Sequence, residues 1–359
     1  MPHAKILFIV NGLGLGNATR CDSLIQQMDH GRTSFDVVTS GNGVGYFEKR
    51  DYVNIALEMK SLEYKKGGDG RLSILQTLRS LPVQCLVFLS NVRSLRTIIT
   101  RSDYDAIVID SDYTMCGWRR VTRAPVFALN NANIVVRECK KLGPLPRSAR
   151  LQFLVERLDS FFSRLLPDWV ISPALRPGAS EGQVLECPPF VRKDLEVRQR
   201  GVRVERLLVM LSGSAFGSTT SFLGQLDIDR RILVDVVGRE GTSTGRITYH
   251  GKVFENAGLL NRADIMVING GFSAVSEAAV LKIPAVVIPV ENHAEQWVNA
   301  RLFEDMGLGL VANVENVTEK LRGLVDNYAW FIENHRESQC KTGGALQAAE
   351  LIERTARIR

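Results

Sequence analysis

Cysteine, histidine and long apolar runs are all scarce in this 359-residue chain, and each scarcity excludes something. Its six cysteines (Cys21, Cys85, Cys116, Cys139, Cys187 and Cys340) are scattered and form no Cys-x-x-Cys pair. That spacing gives neither a disulfide scaffold nor a zinc module, and reduced thiols in a cytoplasmic protein are expected. No uninterrupted apolar stretch approaches the roughly 20 residues of a membrane-spanning helix. Residues 5–10 already read as a strand, which leaves no room for a signal peptide before them. There are five histidines, and no carboxylate or histidine cluster has metal-ligand spacing, so no metal and no cofactor are expected. No zinc-finger, RNA-recognition or leucine-zipper pattern occurs. A net charge of +6 is too small to argue for nucleic acid, though it suits an anionic small molecule or an anionic surface.

What remains is the composition of a folded protein, 45% hydrophobic and 23% charged, long enough for two α/β domains. Strand-like runs at residues 5–10, 35–39, 106–109, 125–129 and 169–172 alternate with helix-like stretches at 18–28, 72–100 and 151–166. Short β-branched runs between helices predict a parallel, doubly wound sheet. Cys187-Pro188-Pro189 and the charged residues 192–206 break the pattern. It restarts at residues 206–211, followed by Ser212-Gly213-Ser214. The expected layout is a Rossmann-like half over 1–190, a linker over 191–205, a second such half over 206–340 and a closing helix over 341–359.

The most informative segment is Val267-Ile268-Asn269-Gly270-Gly271-Phe272-Ser273, running on to Glu277. It reads as strand, glycine turn and helix. Glycines let the backbone turn sharply and approach a ligand, and free amides at a helix N-terminus attract phosphate. Glu277, about a turn and a half into the helix, is near enough to accept hydrogen bonds from a ribose. Glu295 and Gln296 follow the next strand, where they can reach the rest of the same ligand. Together these residues predict a nucleotide-diphosphate-sugar site.

This segment resembles the donor-binding motif of GT-B glycosyltransferases, in the branch of UDP-glycosyltransferases and MurG-like N-acetylglucosaminyltransferases. The resemblance implies an α/β fold of two Rossmann-like domains with parallel sheets facing a central cleft. It implies that Gly270 and Gly271 bind the diphosphate, with Phe272 and Ser273 opening the helix. It implies that Glu277 binds the ribose, and that Glu295 and Gln296 bind the sugar. Val253 aligns with the residue whose backbone reads the nucleobase, beside the plainer reading of a buried strand residue. Ser214 lies in a second glycine turn that approaches the diphosphate. Relatives often carry His or Arg where this chain has Asn269, which brings no charge. The last helix is implied to cross back to the N-terminal domain.

Gly12-Leu13-Gly14-Leu15-Gly16-Asn17-Ala18-Thr19-Arg20 follows the first strand. A dinucleotide fingerprint fits poorly, because its third glycine would fall at Asn17. A plain strand-to-helix turn and an acceptor-side loop both remain open. With the resemblance, Gly14, Gly16 and Asn17 are expected on the acceptor side. Many relatives place a histidine general base where Asn17 stands, and Asn cannot act as a base. Asp112, after the strand at 106–109, is the expected substitute, with helix capping as its alternative. Asn130, Asn131 and Asn133 can bind acceptor hydroxyls or satisfy a turn. His293, just before Glu295, is read as a solvated loop histidine or a neighbour of the sugar.

The reading is an inverting, metal-independent transfer of a sugar, from a donor expected to be UDP-linked, to a small-molecule or lipid-linked acceptor. Its alternatives are a nucleotide-sugar 2-epimerase of the same fold and a binding subunit that kept the donor site without catalysis. The helix at 151–166, with Arg147, Arg150, Arg157 and Arg164, is either core-packed with a basic solvated face or a peripheral contact at the inner face of a membrane.

Overall fold

A computed structural model describes residues 4–12, 14–61, 74–112, 114, 122–165, 167–211, 221–253 and 255–357. Two parallel sheets organise it. The first is built from β1 (Ala4–Val10), β2 (Thr33–Ser40), β3 (Val53–Met59), β4 (Ala106–Asp110), β5 (Val126–Leu129), β6 (Trp169–Pro173) and β7 (Val184–Cys187), in the order β3-β2-β1-β4-β5-β6-β7. The second comprises β8 (Arg206–Met210), β9 (Leu233–Val237), β10 (Ile247–Tyr249), β11 (Ile265–Asn269), β12 (Ala285–Ile288) and β13 (Gly309–Val311), ordered β10-β9-β8-β11-β12-β13.

Helices cover both faces, as parallel strands require. In the first half these are α1 (Leu15–Ile25), α2 (Asn42–Phe47), α3 (Ile74–Arg101), α4 (Ala132–Cys139) and α5 (Arg150–Leu165). In the second they are α6 (Ala257–Arg262), α7 (Phe272–Val280), α8 (Ala294–Asp305), α9 (Val317–Asp326), α10 (Tyr328–Glu337) and α11 (Gly344–Arg357). The central strands β1 and β11 are apolar on both faces and buried there, with Ile6, Phe8, Val267 and Ile268 at zero exposure. Such strands read as continuous hydrophobic runs, which is why the sequence pattern locates them.

No strand lies between Cys187 and Arg206. Arg200, in this connection, is buried and donates to three carbonyls, those of Ala263, Leu281 and Lys282. It thereby fastens the linker to the C-terminal end of α7, whose carbonyls lack helical partners. α11 returns to the first half. Its Ala345, Ala348, Ala349 and Ile352 pack into the core formed by Ile6, Phe8, Leu24 and Phe127, and Glu353 accepts from the Asp29 amide at 2.7 Å.

Each sheet reverses its order once, between β1 and β4 and between β8 and β11. Open α/β sheets bind ligands at the carboxyl ends of strands beside such a reversal. The glycine turns after β1 and β11 stand at these two places.

Candidate functional site: two glycine turns meeting across a cleft

The first turn is strapped together by its own residues. A side chain at Gly12 would place Cβ 1.6 Å from the Ser40 carbonyl oxygen, so only glycine fits. Asn11 donates its backbone N–H to Asp110 and its side-chain amide to the Ser111 carbonyl, at 3.1 and 3.0 Å, joining the ends of β1 and β4. One turn into α1, Arg20 forms a buried two-point ion pair with Asp110, Nε to Oδ2 being 2.8 Å. Burial opposes the Arg20 charge, but the Asp110 charge overcomes it and raises the arginine pKa. Asn17 accepts from Arg20 Nη2 and donates to the Asn11 carbonyl, both at 3.4 Å. Its amide is part of the loop's internal bonding.

Asp112 follows Ser111, whose φ of 51° is left-handed. Asp112 Oδ1 accepts from both the backbone N–H (2.8 Å) and the hydroxyl of Thr114. Asp112 thus caps a turn within its own loop. Burial raises its pKa, against the pull of the two Thr114 bonds.

The second turn runs from β11 into α7. A Cβ on Gly270 would stand 2.3 Å from the Gln296 carbonyl oxygen, whereas one on Gly271 would meet nothing within 4 Å among the described residues. Gly270 is thus fixed by packing, and Gly271 faces open space. Gly271 caps α7 without any side-chain bond, so the first amides of the helix are left to a ligand. Asn269 donates to the Ile288 carbonyl at 3.0 Å, while its buried Oδ1 has no hydrogen-bond partner among the described residues. Ser273 crosses the cleft and donates to the Gly16 carbonyl at 3.3 Å. The two helix N-termini, of α1 and α7, therefore face each other.

Behind this contact lies a pocket lined by Thr19, Arg20, Arg192, Phe272, Ser273 and Glu277. Glu277 is buried, and burial raises its carboxyl pKa despite the nearby arginine. Arg192 Nε lies 3.4 Å from Glu277 Oε1 but outside hydrogen-bond geometry, so this buried nitrogen has no hydrogen-bond partner among the described residues. Its Nη2 donates to Asn256 at 2.7 Å. The sequence pattern had absorbed Arg192 into linker charge; its position after Pro188-Pro189-Phe190-Val191 was the only signal, and an indirect one. Gln296 accepts from the Val290 amide at 3.1 Å, which leaves its amide nitrogen for a ligand. Asn299 clamps the Gly270 carbonyl at 3.0 Å.

Contacts on both flanks close the cleft. On one, Arg50 reaches Glu255 at 3.1 Å and Lys252 reaches Asn42 at 2.8 Å, bracketing Val253. Val253 lies in a loop, half-buried, and is not the strand residue that was its plainer reading. On the other flank, Gln152 of α5 accepts from the Ala294 amide, the first of α8, at 2.6 Å. Asn130 caps the Ala132 amide and donates to Asp159; Asn133 accepts from Ser172. These two satisfy their turn, whereas Asn131 makes no side-chain cap bond. Ser214 lies outside the described residues. Among those residues, no group of three or more His, Cys, Asp or Glu is placed to hold a metal.

α5 overturns the expectation of a core-packed helix. Only Ser163 is buried, while Leu151 (68%), Phe161 (58%) and Leu165 (61%) are exposed with Leu154, Leu158 and Phe162. The polar residues Gln152, Glu156, Asp159 and Ser163 share one helical face, spaced four, three and four apart, and on it Gln152 meets Ala294 and Asp159 meets Asn130. Phe153 packs inward against Val135, Cys139 and Val298, and the other apolar side chains of the helix point outward. No helix among the described residues is long and apolar enough to cross a membrane.

The profile described as "Glycosyl transferase family 1" matches residues 4–327, and the chain belongs to that family. An uncharacterised glycosyltransferase of Methanopyrus kandleri is 24% identical over 273 residues, 70% of this chain and 76% of the relative. MurG of Acinetobacter baumannii superposes with a TM-score of 0.63 over 98% of this chain and all of that one, at 13% identity. LpCGTa, solved in complex with UDP, gives 0.66 over 98% and 99%, at 12% identity. The fold is GT-B, and the protein is a glycosyltransferase.

Proposed function

We propose that the protein transfers a sugar from a nucleotide diphosphate, UDP-linked in the first instance, to a hydroxyl or amine acceptor with inversion and without a metal. The observation that carries this reading is the facing pair of helix N-termini, with Gly271 opening onto free space and Glu277 and Arg192 behind it. The α7 amides and the Arg192 guanidinium would take the charge that builds on the departing diphosphate, the role a metal plays elsewhere. Arg192 offers the cationic partner that Asn269 does not. Glu277 would hold the ribose, Val253 the nucleobase edge, and Glu295 with Gln296 the sugar. A structural neighbour bound to UDP supports a nucleotide donor. The acceptor would enter beside Gly14, Gly16, Asn17 and Asn131. Asp112 sits at this edge too, and its bonds to Thr114 suit it to shaping the loop.

The outward apolar face of α5, flanked by Arg150, Arg157 and Arg164, supports a lipid-linked acceptor taken from an anionic membrane surface. Calorimetry with UDP, and UDP release from UDP-sugars with and without EDTA, test the core of the reading. No UDP binding, or turnover abolished by EDTA and restored by Mg²⁺, would overturn it. UDP-sugar rearranged without net transfer would make the protein an epimerase instead.

A further inference from the structure

The loop between β10 and α6 carries Val253, and it is held from two sides. Its ends belong to the second half. His250 donates its backbone N–H to the Val236 carbonyl at 2.9 Å, and its Nε2 lies 2.7 Å from Asp235 Oδ1. Gly251 accepts from the Gly238 N–H at 2.7 Å, and Asn256 Nδ2 lies 3.1 Å from Met210 Sδ. The residues on either side of Val253 reach the first half instead. Lys252 Nζ donates to Asn42 Oδ1 at 2.8 Å, and the Asn42 backbone N–H donates to the Gly12 carbonyl of the first glycine turn at 3.0 Å. Glu255 accepts from Arg50 Nη1 at 3.1 Å.

Arg50 is set in place for this contact by its own half. The Asp22 carboxylate has no exposed surface. It accepts from the Tyr46 and Tyr52 hydroxyls at 2.7 and 2.6 Å, from Gln26 Nε2 at 3.1 Å and from Arg50 Nε at 3.0 Å. The Arg50 guanidinium also lies over the Tyr46 ring, 4.7 Å from its centroid. Its rotamer freedom is therefore already lost within the first half, and the ion pair to Glu255 costs only the ordering of the glutamate.

We infer that this loop is a latch that couples nucleobase binding to closure of the cleft, with Arg50 as its positioning residue. The inference rests on the nucleotide-sugar reading above, in which Val253 meets the base. Val253 stands between the two residues whose bonds cross to the first half, so its backbone is fixed only with the halves together. A ligand that carries a base favours the closed arrangement, and the closed arrangement favours that ligand by the same factor. A ligand of phosphates alone meets α7 and Arg192 and gains nothing from the latch.

The test is calorimetry on the full chain with UDP and with pyrophosphate. Glu255 is 64% exposed, so substitutions there leave both cores untouched. Glu255→Gln is expected to weaken UDP binding about 3-fold, the scale of an exposed ion pair, and Glu255→Lys, which sets a second cation against Arg50, about 10-fold. Pyrophosphate should bind the wild type and both variants alike. Hydrogen exchange gives a second readout. UDP should slow exchange at residues 42–50 of the wild type as well as at 270–277, and in Glu255→Lys only at 270–277. Equal UDP affinity in the wild type and Glu255→Lys, or pyrophosphate weakened as much as UDP, overturns the latch. A wild type that binds neither UDP nor pyrophosphate overturns the glycosyltransferase reading itself.

Discussion

Gly270 and Gly271 are neighbours with different reasons to be glycine, and the difference is measurable. Gly270→Ala drives Cβ into the Gln296 backbone, so it is expected to lower Tm. Gly271→Ala has room and an ordinary φ of −63°, so Tm should hold while UDP affinity falls, because the methyl enters the ligand's space. Equal melting of the two variants in differential scanning calorimetry would remove that distinction. Glu277→Ala is expected to weaken UDP binding by about 1–3 kcal/mol, the worth of charge-assisted hydrogen bonds to ribose. Unchanged affinity in a folded variant would take Glu277 out of the site. Both glycines and Glu277 were legible in the sequence because they sit at fixed offsets in one strand-turn-helix unit. Arg192 was not, since its partner Glu277 lies 85 positions on and nothing local marks the pairing. Asn17 was legible as a departure, but not its use: its amide is bound into the loop by Asn11 and Arg20.

Among elements, legibility followed position in the sheet. The strands that the hydrophobic pattern did not reveal are β3, β7, β10 and β13, and each is an edge strand. Edge strands are buried on fewer sides, so their sequences carry less apolar signal; β10 has no buried residue at all. α5 was legible as an amphipathic helix but not in its orientation, because periodicity gives a stripe and not its direction. Its outward stripe makes a prediction. The protein should sediment with vesicles containing anionic phospholipid at low salt and dissociate as salt rises, since arginine attraction is screened. Phe161→Glu, at an exposed position, should weaken that binding without lowering Tm. Vesicles that leave the wild type in the supernatant at low salt would assign the stripe to something other than a lipid surface.

At the scale of the molecule, the chain's end completes the chain's beginning. α11 follows the second half in sequence, yet Ala348 and Ile352, both fully buried, pack among Ile6, Phe8, Leu24 and Ile25 of the first. The glycine-rich start of α11 matters for the same reason: a side chain at Gly344 would meet the Pro188 carbonyl oxygen at 1.8 Å, where the helix passes the linker. The two halves are therefore joined twice, by residues 188–205 and by α11, and the cleft between them is spanned by Ser273–Gly16 and Gln152–Ala294. Truncating a fully buried isoleucine leaves a cavity and costs about 2–5 kcal/mol. Ile352→Ala should impose that loss on the first half, although residue 352 is close to the C-terminus. Hydrogen exchange should quicken in β1, β2 and α1 while β11 and α7 keep their protection. UDP affinity should change little, because the residues of α7 and α8 proposed to hold the donor belong to the other core. Faster exchange confined to β11, β12 and α7 would mean that α11 stabilises the half it follows, and would overturn the crossing as an energetic link.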